Sequence, residues 1–221
     1  MIKKGVLFDF DGVVVKSMEQ HFTAWQKAFS DKGIHLSPEE FFVLEGQGIE
    51  TIAGILGKKH GMDDDALSEI MEQKVNYYNQ IMTIEFYDNF IDMIKKLKSL
   101  KVPTGIVTGG SRSRVGKIVE DYLDDYFDIL VSVDDVDHGK PYPDPFLKGA
   151  ELLNLSPEEC IVVENAPLGI RGAVSAKMTV IAVKTTLNET HLKEAHHIAE
   201  NFLEVGDLIH SYLNNGPVRS F

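Results

Sequence analysis

A single cysteine, Cys160, occurs in 221 residues, so no internal disulfide can brace the chain. It lies in the apolar run Cys160-Ile161-Val162-Val163, where a thiol reads as core and not as a nucleophile. Positive charge is short as well: 22 Lys+Arg stand against 34 Asp+Glu, giving 22 − 34 = −12. That field repels nucleic acid and anionic membranes, so an anionic ligand must be captured by a few local cations with the help of a divalent metal. No apolar run has the length of a membrane span, or of a signal segment followed by a cleavage site. No stretch repeats another, and none is low in complexity. These absences predict a soluble cytoplasmic protein with a small-molecule ligand, no nucleic-acid or membrane partner, and a monomeric or small homo-oligomeric state.

Hydrophobic residues make up 43% of the chain, enough for a sizeable core. Short apolar, β-branched runs recur at 5–8, 102–107, 129–133, 160–163 and 179–183, with amphipathic stretches between most of them. This predicts an α/β fold with a doubly wound parallel sheet and a ligand site at the carboxyl ends of the strands. Between the first two runs the patterns are helical, which predicts an inserted small α-helical domain over 15–84; the α/β core then comprises 1–14 and 85–221. Ser17 and Gln20 have capping-box spacing, and Met18, His21, Phe22, Trp25, Ala28 and Phe29 follow at helical spacing as far as Gly33. Ser37-Pro38-Glu39-Glu40 starts another helix. A long helix from about Asp63 to Met82 aligns Leu67, Ile70, Met71, Lys74, Tyr78 and Ile81, which sets Lys74 on an apolar face. Asn214, Asn215, Gly216 and Pro217 suggest a loose end.

The chemistry-bearing residues follow the apolar runs. In Asp9-Phe10-Asp11-Gly12-Val13, strand alternation sends Asp9 and Asp11 to one side and Phe10 to the other, while Gly12 permits a sharp turn. Two carboxylates therefore converge at a strand end; the competing reading is a solvated surface turn. Thr108-Gly109-Gly110-Ser111 places a hydroxyl and small residues before a helix, an arrangement that binds phosphate through backbone N–H groups, although it is also common turn chemistry. Lys140-Pro141-Tyr142-Pro143-Asp144-Pro145 fixes an ammonium ahead of a rigid turn, with Asp144 expected to cap the next helix and orient Lys140. Glu164-Asn165 ends another run; the pair offers oxygen ligands for Mg²⁺ together with Asp9, or Asn165 is simply a helix N-cap.

Taken in order, Asp-x-Asp-Gly-Val, Thr-Gly-Gly, Lys-Pro-x-Pro-Asp and Glu-Asn-x-x-x-Gly-Ile resemble the four motifs of the haloacid dehalogenase superfamily of phosphotransferases, over essentially the whole chain. The helical insertion resembles the small cap of its β-phosphoglucomutase-like and phosphoglycolate-phosphatase-like branch. The resemblance implies that Asp9 attacks phosphorus to give an aspartyl-phosphate, and that Asp11 protonates the leaving oxygen and later activates water. It also implies that Thr108, Lys140, Gly109 and Gly110 hold the phosphoryl group, and that Mg²⁺ binds Asp9, the Asp11 carbonyl and Glu164 or Asn165. Asp11 argues for phosphoryl transfer, since the true dehalogenases lack that second aspartate. Asn165 departs from the acid found in many members, removing a charge while keeping a carbonyl ligand. In the cap, His21 and Lys74 resemble residues of the mutase branch; read alone, His21 is a core histidine on an apolar stripe and Lys74 a lysine whose head group snorkels to solvent. The loop Glu45-Gly46-Gln47-Gly48 has no arginine where the mutases grip a second phosphate. Glu45 there suits a less charged ester or Mg²⁺-complexed pyrophosphate, unless it faces water at a helix end.

The expected activity is a Mg²⁺-dependent phosphohydrolase for a small phosphorylated metabolite, a sugar phosphate or similar monoester. The alternatives are a β-phosphoglucomutase-type isomerase, an inorganic pyrophosphatase and a weakly catalytic phospho-ligand binder. Elsewhere, His191, His196 and His197 read as solvated helix surface, Asp63-Asp64-Asp65 as a helix N-terminus, and His138 as a neighbour of Lys140 without an assigned role.

Overall fold

The computed structural model describes residues 4–215. Six strands, β1 (Gly5–Phe8), β2 (Thr104–Val107), β3 (Ile129–Val131), β4 (Cys160–Glu164), β5 (Thr179–Val183) and β6 (His197–Ala199), form one sheet in the order β3-β2-β1-β4-β5-β6, parallel throughout. This is a doubly wound α/β order that reverses at β1, where β2 and β4 flank it on opposite sides. The carboxyl ends of β1 and β4 therefore lie side by side at the crevice of the sheet. Phe8 is paired with Val163, one residue before Asp9 on β1 and Glu164 on β4.

Between β1 and β2 come α1 (Met18–Ser30), α2 (Pro38–Phe42), α3 (Ile49–Lys59), α4 (Asp64–Ile81) and α5 (Phe90–Ser99). After β2 come α6 (Arg112–Tyr122), α7 (Asp144–Leu152), α8 (Pro167–Ser175), α9 (Glu189–Leu192) and α10 (Phe202–Asn215). Alternation along β1 divides the sheet's two cores. Val6 and Phe8 pack with Phe90, Ile94, Phe202 and Ile209 of α5 and α10, whereas Leu7 packs with Phe146, Ala150 and Ile170 of α7 and α8. A third core, with Trp25, Phe29, Leu36, Phe41, Leu56 and Ile70 at its centre, is built from α1 to α4.

Several local expectations need correction. Ser17 precedes α1 but makes no capping bond with its side chain, and its hydroxyl turns to Asp11 instead. The capping box at Ser37 and Glu40 is formed, with Pro38 at the start of α2. Asp63 caps α4 through Ala66 N–H, and Lys74 is buried on the face of that helix; Ile81 is exposed. His196 and His197 are not on a helix. His197 opens the short edge strand β6 and bonds the Tyr212 hydroxyl at 2.6 Å, while His196 Nδ1 accepts from Val180 N–H. Asn214 and Asn215 complete α10; Gly216 and Pro217 lie outside the described residues. No described helix is long and apolar enough to cross a membrane.

Leu7 is fully buried where β1 meets α7 and α8. Leu7→Ala should destabilise the protein by about 2–5 kcal/mol. Urea unfolding measures this, and a loss under about 1 kcal/mol would contradict the packing described.

Candidate active site

Asp9 follows β1 directly and is 2% exposed, its N–H donating to Val163 O at 3.0 Å. Thr108 follows β2, held by its N–H to Val131 O at 2.9 Å. Lys140 comes from the loop before α7, and Glu164 is the last residue of β4. The Lys140 ammonium donates to Asp9 Oδ1 at 2.7 Å and to Glu164 Oε1 at 2.6 Å, with side-chain exposures of 1%, 3% and 0% in the order Lys140, Asp9, Glu164. One buried cation thus bridges two carboxylates, and the trio carries a net negative charge when all three are ionised. The other Glu164 oxygen accepts the N–H groups of Asn165 and Ala166. Burial pushes the Asp9 carboxyl up, Lys140 opposes and Glu164 reinforces, and the result is about 7. For Lys140 burial pulls down, but Asp9 and Glu164 outweigh it and hold the ammonium above its ordinary value. Asp144, expected to orient Lys140, instead faces exposed His138 at 3.4 Å and makes no cap; Pro143 occupies that position.

Asp11 is set apart from this trio. Gly12, at φ +85, turns the chain directly after it, and Phe10 is buried in the sheet core. Asp11 Oδ1 accepts from Ser17 Oγ at 2.6 Å and Arg114 Nη1 at 3.0 Å and meets His21 Nε2 at 3.1 Å, while Arg114 Nη2 pairs with Oδ2. Burial raises the Asp11 carboxyl, but Arg114 and then His21 outweigh it and hold it well below the ordinary value. His21 Nδ1 lies 2.9 Å from Lys74 Nζ, and Tyr78 stacks on the imidazole with centroids 4.1 Å apart. Burial and the Lys74 charge depress His21 to about 3, so its ring is neutral at pH 7. An ammonium can only donate, so these partners assign the ring proton to Nε2, where it donates to Asp11. Lys74 is itself lowered to about 7, by burial and then by Arg114. Its head group is therefore inside, not at the surface.

Glu45 does not face water. It is 1% exposed, and its Oε2 accepts from Asn165 Nδ2 and Thr186 Oγ1, each at 2.8 Å, while burial pushes its carboxyl well up. The Asn165 amide also reaches Thr186 Oγ1 at 2.9 Å, and it is Ala166, not Asn165, that caps α8. Asn165 Oδ1 and Glu45 Oε1 are buried without a hydrogen-bond partner. Two orphaned oxygens beside the Asp9 and Glu164 carboxylates fit a hard divalent cation, which needs only one or two carboxylates and keeps several waters. Among the described residues no three His, Cys, Asp or Glu side chains form a closed metal cage.

A cavity of about 820 Å³ between the helical insertion and the sheet is lined among others by Asp9, Asp11, Glu45, Lys74, Thr108 and Arg114, while Lys140, Glu164 and Asn165 are buried and do not line it. Gly109 and Gly110 line it too, and Gly110 N–H donates to Thr108 Oγ1 at 3.0 Å. Arg114, Thr186 and Ser17 were not singled out from the sequence as site residues. Arg114 had one available signal: it stands six residues after Thr108, on the first turn of the helix that follows the predicted phosphate loop.

Residues 6–183 match the haloacid dehalogenase-like hydrolase family. Hexitol phosphatase A of Escherichia coli is 29% identical over 91% of this chain and 93% of its own length. Pyrophosphatase PpaX of Bacillus cereus is 33% identical over 86% of this chain and 88% of its own. A solved structure described as a putative β-phosphoglucomutase from Bacteroides vulgatus superposes with a TM-score of 0.85 at 27% identity, covering 96% of this chain and 89% of that one.

The Lys74 environment has a pH signature. Unfolded, Lys74 holds its proton up to its ordinary value of 10.5; folded, it loses it at about 7. The cost of burying its charge is therefore full below about 7 and disappears as the pH rises toward 10.5. Urea unfolding of the parent and of Lys74→Met should show the parent gaining on the variant from pH 7 to pH 10. A difference independent of pH would contradict the buried ammonium.

Proposed function

This chain belongs to the haloacid dehalogenase-like hydrolase family, and we propose that it is a Mg²⁺-dependent phosphohydrolase working through an aspartyl-phosphate on Asp9. The observation that carries the reading is the division of labour between two carboxylates two residues apart. Asp9 is bound by Lys140 and pushed up by burial, while Asp11 is held down in a separate network of Ser17, His21 and Arg114. The separate partners, not the acid strengths, carry the assignment: the carboxylate held by Lys140 at the strand ends suits the nucleophile, and the one facing the insertion suits proton transfer to the leaving oxygen and from water.

In this reading Asp9 attacks the phosphorus, with Lys140 leaving its carboxylate partners in part to meet the phosphoryl oxygens. Thr108 and the N–H groups of Gly109 and Gly110 hold the same group. Asp11 must take up a proton as the substrate binds before it can give one to the leaving oxygen; it then takes one from the attacking water, the task its ionised form is ready for. His21 and Lys74 orient Asp11 from the insertion side, so the acid is in place only when the cap is packed on the core. Mg²⁺, held by Asp9, the Asp11 carbonyl, Glu164 and Asn165, would neutralise charge developing on the phosphoryl oxygens.

The substrate is a small phosphorylated metabolite, with sugar phosphates the first class to test. Support comes from the cavity's size and from relatives described as hexitol and fructose-1-phosphate phosphatases. A second reading, inorganic pyrophosphatase, is favoured by buried Glu45 on Asn165, which adds a carboxylate where a Mg²⁺-complexed substrate would sit; relatives described as pyrophosphatases agree. The mutase reading is disfavoured by the absence of arginine from Glu45-Gly46-Gln47-Gly48.

Phosphate release in Mg²⁺ over hexose and hexitol phosphates, phosphoglycolate and pyrophosphate, alongside glucose 6-phosphate formation from β-glucose 1-phosphate, tests these readings. Release from one class supports the hydrolase, and glucose 6-phosphate without free phosphate would overturn it. Asp9→Asn should lower kcat by about 10³-fold or more, and Lys140→Ala by about 10²-fold or more. Turnover retained in Asp9→Asn would remove the nucleophile assignment.

A further inference from the structure

We propose that Arg114 recognises an anionic substituent on the substrate's leaving group, and that its pairing with Asp11 in the free protein is a contact the substrate takes over. The inference rests on the phosphohydrolase reading and narrows it: the departing half of the substrate itself carries a phosphate or a carboxylate.

Three observations place Arg114 there. The first is reach. Its guanidinium folds back from α6 over the Thr108-Gly109-Gly110 loop so closely that a Cβ on Gly110 would collide with Arg114 Nη2. The same group touches both Asp11 oxygens, so it spans the gap between the phosphoryl-binding loop and the proton donor. That gap is where the bond between phosphorus and leaving oxygen must lie.

The second is preparation for an anion. The guanidinium carbon lies 5.9 Å from the Phe10 ring centroid and 5.7 Å from that of Tyr78, and the side chain is 20% exposed. Held against two aromatic rings, a planar fork keeps its orientation for a bidentate oxyanion when the carboxylate is exchanged for another.

The third is the polarity of the cavity. Its Asp9 end presents Asp9 and Glu45, with the Lys140 ammonium behind them already shared between Asp9 and Glu164, and Glu45 is tied to Asn165 and Thr186. A leaving group projects the other way, past Asp11, toward Arg114, Met82 and Ile84, where Lys117 is paired with Asp121 and Lys74 with His21. Arg114 is held there by the Asp11 carboxylate, whose place an incoming anion can take. In a chain with so few cations, that guanidinium at the site selects an anion.

The test compares two substrate classes. Pyrophosphate, phosphoglycolate and fructose 1,6-bisphosphate have charged leaving groups; fructose 1-phosphate and p-nitrophenyl phosphate do not carry a separate anion there. Arg114→Ala should lower kcat/KM for the first class by about 30-fold or more beyond its effect on the second, chiefly through KM, and Arg114→Lys should restore only part of it. Equal losses in both classes, or no loss in either, would overturn the proposal. Calorimetric binding to Asp9→Asn protein in Mg²⁺ asks the same question without turnover. Adding Arg114→Ala should weaken pyrophosphate and phosphoglycolate and leave fructose 1-phosphate within about 3-fold, and a uniform change would again overturn it. Release of p-nitrophenol by the parent tests the hydrolase reading by itself, so the two failures are told apart.

Discussion

The bridge from Lys140 to Asp9 and Glu164 is the interaction on which the rest of the site depends. Three ionisable groups lie in the interior with side-chain exposures of 1%, 3% and 0%. Removing charges from water is costly, and a buried pair of this kind is weak as a source of stability, while deleting one partner typically costs about 3–5 kcal/mol. Its position is explained by chemistry. The crossover order of the sheet brings β1 and β4 together and ends both at this point, so Asp9 and Glu164 both reach the Lys140 ammonium. An ammonium at that place can also meet a phosphoryl group, which presents the same oxygen chemistry as the carboxylates it replaces.

The second constraint is that the site is incomplete without the helical insertion. Asp11 belongs to the turn after β1, but two of the groups that define its charge and orientation, Ser17 and His21, lie at the start of α1, and Lys74 supports His21 from α4. On the other side of the cavity Glu45 crosses from the insertion to Asn165 and Thr186 on the core. The insertion therefore joins the core by hydrogen bonds to the groups that would do the chemistry. A movement of α1 and α4 away from the sheet would undo Asp11's surroundings and Glu45's at once. This couples exclusion of water from the cavity to assembly of the proton-transfer group.

Much of this was legible in the sequence for a simple reason. Strand alternation and four strand-end motifs are local signals, and they bring Asp9, Thr108, Lys140 and Glu164 to one end of the sheet, though not the separate partners of Asp11. The apolar spacing on α4 likewise put Lys74 inside. What was illegible depends on distant partners. Ser17 has every local feature of a cap, yet the Asp11 carboxylate offers a charged acceptor at 2.6 Å and takes its hydroxyl. Asp144 was expected to reach Lys140, but two buried carboxylates compete for that ammonium and Asp144 has neither their burial nor their geometry. The edge strand β6 is only three residues long and begins at a histidine, so it carries no apolar run to detect; backbone pairing with β5 makes it a strand. Arg114 reads as an ordinary surface residue of an amphipathic helix until Gly110 is seen to leave its guanidinium a path across the loop.

The central claim is that the carboxylate held by Lys140 accepts a phosphoryl group. The most direct measurement is acid-quenched mass spectrometry of Asp11→Asn protein after brief exposure to Mg²⁺ and p-nitrophenyl phosphate, whose leaving group departs without a proton, since removing the proton-transfer group should then slow only hydrolysis of the intermediate. The account predicts the added mass of one phosphoryl group on the peptide containing Asp9, absent when Asp9→Asn is combined with it. Phosphate release from the parent protein with no such adduct trapped, or an adduct that survives Asp9→Asn, would contradict it.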